Sequence, residues 1–212
     1  MKQYHKINTV FKRDTDKPKN PIIMGDFSEA EFEYLANNKW ELTEKVDGTN
    51  IRIMWDGERI TFGGKTDNAQ IPAPLVQRLN EVFLPLTDKF IEIFGLGGGV
   101  CLYGEGYGNR IQKVGKLYSD TQQFVLFDIK IGDWWLMRCD IEDIASKLGI
   151  QIVPIVGVGT LYEAIEFVKN GFNSQWGNFE AEGVIAKPTV PLLTRGGKRI
   201  ITKIKTVDFR NL

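Results

Sequence analysis

Histidine is nearly missing from this 212-residue chain; His5 is the single copy. That scarcity excludes His-rich zinc sites and most Ser-His or Cys-His nucleophile pairs. Two cysteines, Cys101 and Cys139, form no metal-ligand spacing and read as reduced cytosolic thiols. There is no excess of either charge: 27 Lys and Arg balance 27 Asp and Glu, for a formal net charge of +0. A generally basic coat for nucleic acid is thereby excluded, although a local basic groove is not. No apolar run approaches the ~18 residues that a membrane span requires. The N-terminal stretch is charged and lacks an apolar core, so no secretory leader and a cytoplasmic location are expected. Acid-base or metal chemistry in such a chain must use carboxylates and lysines.

Apolar residues make up 42% of the chain, enough for a substantial core. The length allows one large domain or two small ones. With no internal repeat, low-complexity segment or linker, a single domain over residues 1–212 is expected. The rest is organised around Glu44-Lys45-Val46-Asp47-Gly48-Thr49-Asn50, between the strand-like runs Trp40–Thr43 and Ile51–Trp55. Asp-Gly is a strong hairpin-turn signal. A lysine is a nucleophile only when neutral, and at an ordinary pKa of about 10.4 few copies are neutral at pH 7. Burial or neighbouring cations must lower that value before the amine attacks anything.

Other stretches carry candidate chemistry. Lys6–Asp14 reads as a strand with three cations that could line a phosphate site. Ser28 with Glu31 has capping-box spacing ahead of a helix, and so does Thr160 with Glu163. Gly63-Gly64-Lys65-Thr66-Asp67 closes a hairpin, with glycines that admit a ligand and Lys65 that could meet a phosphate. Leu75–Phe94 repeats apolar residues at helical spacing, with Pro85 as a kink. Val100–Gly108 predicts a strand ending with Glu105 among glycines, open to a ribose hydroxyl. A polar loop with Arg110, Lys113 and Lys116 follows, over residues 109–120. In the apolar strand Gln123–Ile131, Asp128 is costly unless paired. Asp140 is expected to cap a helix that ends at Gly149, and Ile152–Val158 to form a strand. In Glu180–Pro188, Glu180 and Glu182 at i and i+2 would share one strand face, where a cation would relieve their repulsion. Arg199–Thr206 alternates, with Lys203 and Lys205 on one face.

Five of these stretches, in order, resemble the covalent nucleotidyltransferases: ATP-dependent RNA ligases, DNA ligases and mRNA capping enzymes. Lys45-Val46-Asp47-Gly48-Thr49-Asn50 is similar to the nucleophile motif and Tyr103-Gly104-Glu105 to the ribose-binding motif. Phe127-Asp128 resembles the motif whose ring stacks on the base. Glu182-Gly183-Val184-Ile185 resembles the metal-acid motif, and Lys203-Ile204-Lys205 the final phosphate-binding motif. Within that group the likeness is to small RNA ligases of phage and bacteria, through Thr43–Asn50, Gly63–Asp67 and the Lys-Ile-Lys ending.

The resemblance implies an α+β nucleotidyltransferase fold (ATP-grasp-like ligase adenylation), mainly antiparallel sheets with flanking helices. It implies an adenylyltransferase domain alone, because the sequence continues only seven residues past Lys205, too few for a C-terminal OB domain. It implies an ATP-dependent RNA ligase that acts through a lysyl-AMP intermediate in RNA repair. Lys45, Lys203 and Lys205 would be catalytic. Glu44, Asn50, Arg52, Lys65, Glu105, Phe127 and Glu182 would bind the nucleotide. Glu182, with Glu180, would hold Mg²⁺ or Mn²⁺. The expected partner is nucleic acid with 5′-phosphate and 3′-hydroxyl ends, RNA favoured over DNA, met by a monomer and not at a membrane. A DNA ligase, a guanylyltransferase, and a non-catalytic protein that binds nucleic-acid ends remain alternatives.

Overall fold

A computed structural model describes residues 3–210, and each of its elements follows from a local cause. The expected Lys6–Asp14 strand is broken at Val10 into β1 (Asn8–Thr9) and β2 (Phe11–Arg13). Val10 turns its side chain into the core, and β2 pairs antiparallel with β3 (Ile22–Phe27). The first helix, α1, is Ala30–Tyr34 and starts after Glu29, not Ser28. The Ser28 capping box does not form, because the Ser28 hydroxyl donates instead to the Thr9 carbonyl. β4 (Trp40–Glu44) precedes the Lys45 stretch, and β5 (Thr49–Trp55) follows it.

The Asp56–Arg59 turn returns the chain into β6 (Ile60–Gly63), with Asp56 accepting from the Glu58 and Arg59 amides. The long helical run divides at Pro85, as its missing N–H requires. α2 (Ala73–Phe83) and α3 (Thr87–Phe94) are joined by a tighter turn, Leu84–Leu86. β7 (Val100–Tyr107) follows as expected. The 109–120 loop contains one short helix, α4 (Gly115–Tyr118), not foreseen because four residues show no periodicity. β8 (Gln123–Ile131) and β9 (Trp134–Trp135) form the next hairpin.

α5 (Arg138–Leu148) begins two residues before Asp140, so Asp140 sits in the first turn and does not cap. Its negative charge still suits the helix N-terminus. β10 (Ile155–Gly159) starts later than expected, after Pro154. The Thr160–Glu163 capping box forms in full and opens α6 (Leu161–Asn170). β11 (Gly183–Pro188) excludes Glu180, and β12 is Thr202–Lys205.

The chain divides into two compact units. One consists of residues 3–5 and Asp47–Val153. Its five-stranded antiparallel sheet has the order β6-β5-β7-β8-β9. One face of it packs on α2, α3 and α5 through Ile51, Ile53, Leu79, Phe83, Phe90 and Leu126, all buried. The other unit consists of residues 6–46 and 154–210. Its five-stranded sheet runs β1-β12-β11-β4-β10, antiparallel except for the β1–β12 pair. A separate core there joins Trp40, Leu42, Val184 and Ile204 to Leu161, Ile165 and Val168 of α6. The architecture is α+β, with mainly antiparallel sheets and flanking helices. No helix among the described residues is long and apolar enough to cross a membrane.

Thr160 satisfies the Glu163 amide while Glu163 satisfies the Thr160 amide. Thr160→Ala is therefore expected to lower stability by about 1 kcal/mol, read from the midpoint of urea unfolding at constant slope.

Candidate active site

In the unit that carries β4, β11 and β12, two lysines distant in sequence meet one acid. β4 pairs with β11, and β11 with β12, so the ends of all three strands lie side by side. The Lys45 amide donates to the Gly183 carbonyl at 2.9 Å. Its side-chain Nζ reaches Glu182 Oε2 at 2.5 Å, and Lys205 Nζ reaches the other oxygen, Oε1, at 3.1 Å. Both lysines and Glu182 are only partly exposed. Gly183 makes this approach feasible: its φ is +146°, and a β-carbon would collide with the Ile204 carbonyl.

Lys203 lies two residues from Lys205 on the same face of β12. Burial pushes its ammonium below its ordinary pKa, and the charges of Lys205, Lys45, Arg13 and Lys6 push the same way. Lys203 has no ion pair among the described residues. Two ammonium groups thus share one carboxylate with a third close by, an arrangement that favours an incoming anion.

Two expected members of this group point elsewhere. Glu44 is 1% exposed and faces away from Lys45. It accepts from the Ser174 hydroxyl at 2.5 Å and the Gln175 amide at 2.8 Å, and burial raises its carboxyl pKa. Its carboxylate holds a loop, and the nucleotide-contact expectation for that side chain is corrected accordingly. Glu180 and Glu182 do not share a strand face. Glu180 precedes β11 and pairs with Arg210.

The other unit carries the remaining candidates. Asn50 and Glu105 face each other across β5 and β7. Asn50 Oδ1 is buried with no hydrogen-bond partner, an acceptor that lacks a donor. Gly48 allows the turn before β5 to lie against the end of β7, because a β-carbon there would strike the Gly106 carbonyl and the Glu105 side chain. The Asp-Gly pair therefore serves close approach, where the sequence suggested a hairpin turn. Asp47 and Gly48 are fixed further: the Asp47 amide donates to the Tyr118 hydroxyl, and Gln112 Nε2 donates to the Gly48 carbonyl at 3.0 Å.

Phe127 is the extra residue of a β-bulge. Tyr103 is opposite Asp128 while Gly104 is opposite Leu126. Bulges re-aim side chains, and Phe127 stays half-buried beside the fully buried Asp128. Tyr4 contacts its ring edge-on at 5.0 Å and donates its hydroxyl to Asp128 at 2.5 Å.

Arg52, expected to bind the nucleotide, is buried and bonded within its own unit. It is 1% exposed, donates to the Gly64 carbonyl at 2.9 Å and pairs with Asp67 at 2.7 Å. It braces the 64–67 loop, on which Lys65 is exposed. Sequence reasoning missed Ser174, Gln175, Gln112 and Tyr118, whose types and spacing carry no signal. It noted that Asp128 needs a partner, but could not find Tyr4, 124 positions away.

A sequence profile of the RNA ligase family matches residues 38–205. The chain belongs to the RNA ligase family. Among solved structures it is similar to the Naegleria gruberi RNA ligase in several forms. An apo mutant form gives a TM-score of 0.65 at 19% identity, covering 85% of this chain and 53% of that one. A mutant form with ATP and Mn gives 0.66 at 17% identity, covering 94% and 58%. A form with PPi gives 0.64 at 20% identity, covering 94% and 59%. At these identities the likeness is one of fold. The chain spans just over half the length of these ligases. No curated protein sequence matches it in direct comparison.

Replacing Lys203 by Met removes a charge held among like charges. Because the folded-state pKa lies below the ordinary 10.5, the cost of that charge is full at neutral pH. It disappears as pH rises through the folded-state value toward 10.5. Lys203→Met should therefore match or exceed the unsubstituted protein in unfolding free energy at pH 7. Its advantage should shrink in alkaline buffer, as measured by denaturant titration.

Proposed function

We propose that this member of the RNA ligase family is an ATP-dependent enzyme that joins RNA ends through a lysyl-AMP intermediate on Lys45. The observation that carries the reading is the Lys45–Glu182–Lys205 contact. It brings together residues from three distant motifs around a site short of negative charge.

In the first step, neutral Lys45 attacks the α-phosphorus of ATP. An N–P bond forms, the bond to the β-phosphate oxygen breaks, and pyrophosphate leaves. In the second, a 5′-phosphate oxygen of the strand attacks the same phosphorus and Lys45 departs. In the third, a 3′-hydroxyl attacks the activated 5′-phosphate, releasing AMP and closing the phosphodiester. Negative charge grows on phosphate oxygens in each step, so cations fixed beforehand contribute most. Lys205 and Lys203 are assigned to the α-phosphate. Glu105 and Asn50 are assigned to the ribose; the unpartnered Asn50 Oδ1 suits a hydroxyl donor and not a phosphate oxygen. Phe127 is assigned to the adenine face.

The described residues hold no cluster of three or more metal-binding His, Cys, Asp or Glu side chains. A single carboxylate suits Mg²⁺ or Mn²⁺ that arrives with the triphosphate, since such ions bind through one or two carboxylates plus phosphate oxygens. Glu182 would hold it, and Glu180, committed to Arg210, would not. When bound, the ion would neutralise phosphate charge and draw Glu182 away from Lys45. The substrate is nucleic acid with 5′-phosphate and 3′-hydroxyl ends.

Incubation with α-labelled ATP and Mg²⁺ should leave label on the protein after denaturation. Lys45→Ala should abolish it, and Lys205→Ala should slow labelling by about 10²-fold or more. Absence of label from folded protein with any nucleotide would overturn the enzyme reading in favour of an end-binding protein.

A further inference from the structure

The loop between β7 and β8 carries an excess of positive surface charge. It carries Arg110, Lys113 and Lys116 against a single acid, Asp120 at its far end, in a chain whose net charge is +0. All three cations are exposed, and none takes part in an ion pair or hydrogen bond among the described residues. Other exposed cations here do have acidic partners, as in Lys147–Asp143 and Lys169–Glu166. Between the cations, Val114 and Leu117 are also exposed, at 42% and 54%. Lys113 with Lys116, and Val114 with Leu117, each repeat at a spacing of three. Cations and apolar side chains thus alternate along the chain into the short helix α4.

The loop is built to hold that surface in place. The Asn109 amide donates to the Ser119 carbonyl at 3.0 Å, closing the loop at its base. Gln122 Nε2 adds a bond to the Asn109 carbonyl at 3.1 Å. Tyr118 is buried and meets the Tyr107 ring edge-on. Arg110 itself has a φ of +66°, rare for a residue with a side chain, and such strain persists only where the surroundings impose it. Arg110 also lines a cavity of about 330 Å³, together with Arg78 and the acids Glu81 and Asp120. The inner side of the same loop touches the nucleophile motif, through Gln112 on the Gly48 carbonyl and Tyr118 under the Asp47 amide.

We propose that the 109–119 loop is a docking surface for the sugar-phosphate backbone of the RNA strand, with Arg110, Lys113 and Lys116 each meeting a phosphate. The inference rests on the RNA ligase reading above and adds the surface that grips the strand. Charge complementarity argues for this occupant: unpaired exposed cations gain by releasing the counterions of a polyanion. The exposed apolar pair lies where ribose and base faces would follow, a contact independent of base identity. The two hydrogen bonds to residues 47 and 48 place the docked strand and the motif turn on one rigid piece of backbone.

The test compares the unsubstituted protein with Arg110→Ala/Lys113→Ala/Lys116→Ala. Binding of a fluorescent, 5′-phosphorylated single-stranded RNA is followed by anisotropy without ATP, across a salt series. Label transfer from α-labelled ATP to the protein is measured separately. The triple variant should form lysyl-AMP at the unsubstituted rate, which also shows that it folds. Its RNA affinity should fall, and the slope of log affinity against log salt should lessen by about 2, for three lost contacts on a single strand. AMP transfer to the RNA should fall in parallel. Unchanged affinity and slope, with lysyl-AMP formation intact, would overturn the docking surface and leave the ligase reading standing. An equal loss of affinity in Lys89→Ala/Lys147→Ala/Lys169→Ala would also overturn it, by showing a mere response to overall charge. Failure of the unsubstituted protein to form lysyl-AMP would count against the ligase reading itself.

Discussion

Charge balance around Glu182 is the constraint on which the sheet edge depends. One carboxylate serves Lys45 and Lys205, while Lys203 stands close by with no acid of its own. Buried like charges cost stability, and folding alone gives no reason to collect them. Nearby ion pairs show that the fold can supply counterions: Arg13 has Asp208, and Arg210 has Glu180. The shortage at Lys203 is therefore local. It is tolerated because strand pairing fixes the β4, β11 and β12 ends regardless of what their side chains prefer.

The two glycines of the motifs, Gly48 and Gly183, have the same physical purpose. Each removes a β-carbon where backbone must pass backbone at a strand end. In the first unit this seats Asn50 beside Glu105; in the second it seats Glu182 against Lys45 and Lys205. The bulge at Phe127 is a third such device, changing which way an aromatic ring faces without altering the strand around it.

Much of this was legible in the sequence. Alternation in β5 and β12, the Pro85 break, and the Thr160 capping box are local properties, and local reasoning found them. The order of the motif residues was legible as well. What escaped was whatever depends on a distant partner. Ser28 has a capping sequence, yet a strand carbonyl takes its hydroxyl. Arg52 looks like a phosphate ligand in a strand pattern, until Asp67 and the Gly64 carbonyl claim it. Glu44 adjoins the reactive lysine in sequence, but alternation turns it to the opposite side, onto Ser174. Glu180 and Glu182 share a face only if the strand begins three residues earlier than it does.

The order of the chain has a consequence for how the lysine cluster comes into being. Strands β5 to β9 are contiguous in sequence and close a sheet from near neighbours. The other sheet needs β4 to find β11 across an interval that holds Asp47–Val153, nearly all of the first unit. Contacts of long sequence separation form late, since the intervening chain must be ordered or looped out first. Lys45 emerges during synthesis well before Glu182 and Lys205, and has both only once the last strand is made. Its surroundings are thus among the final features of the molecule to be assembled, and any truncation that removes β12 would leave Lys45 and Glu182 without Lys205.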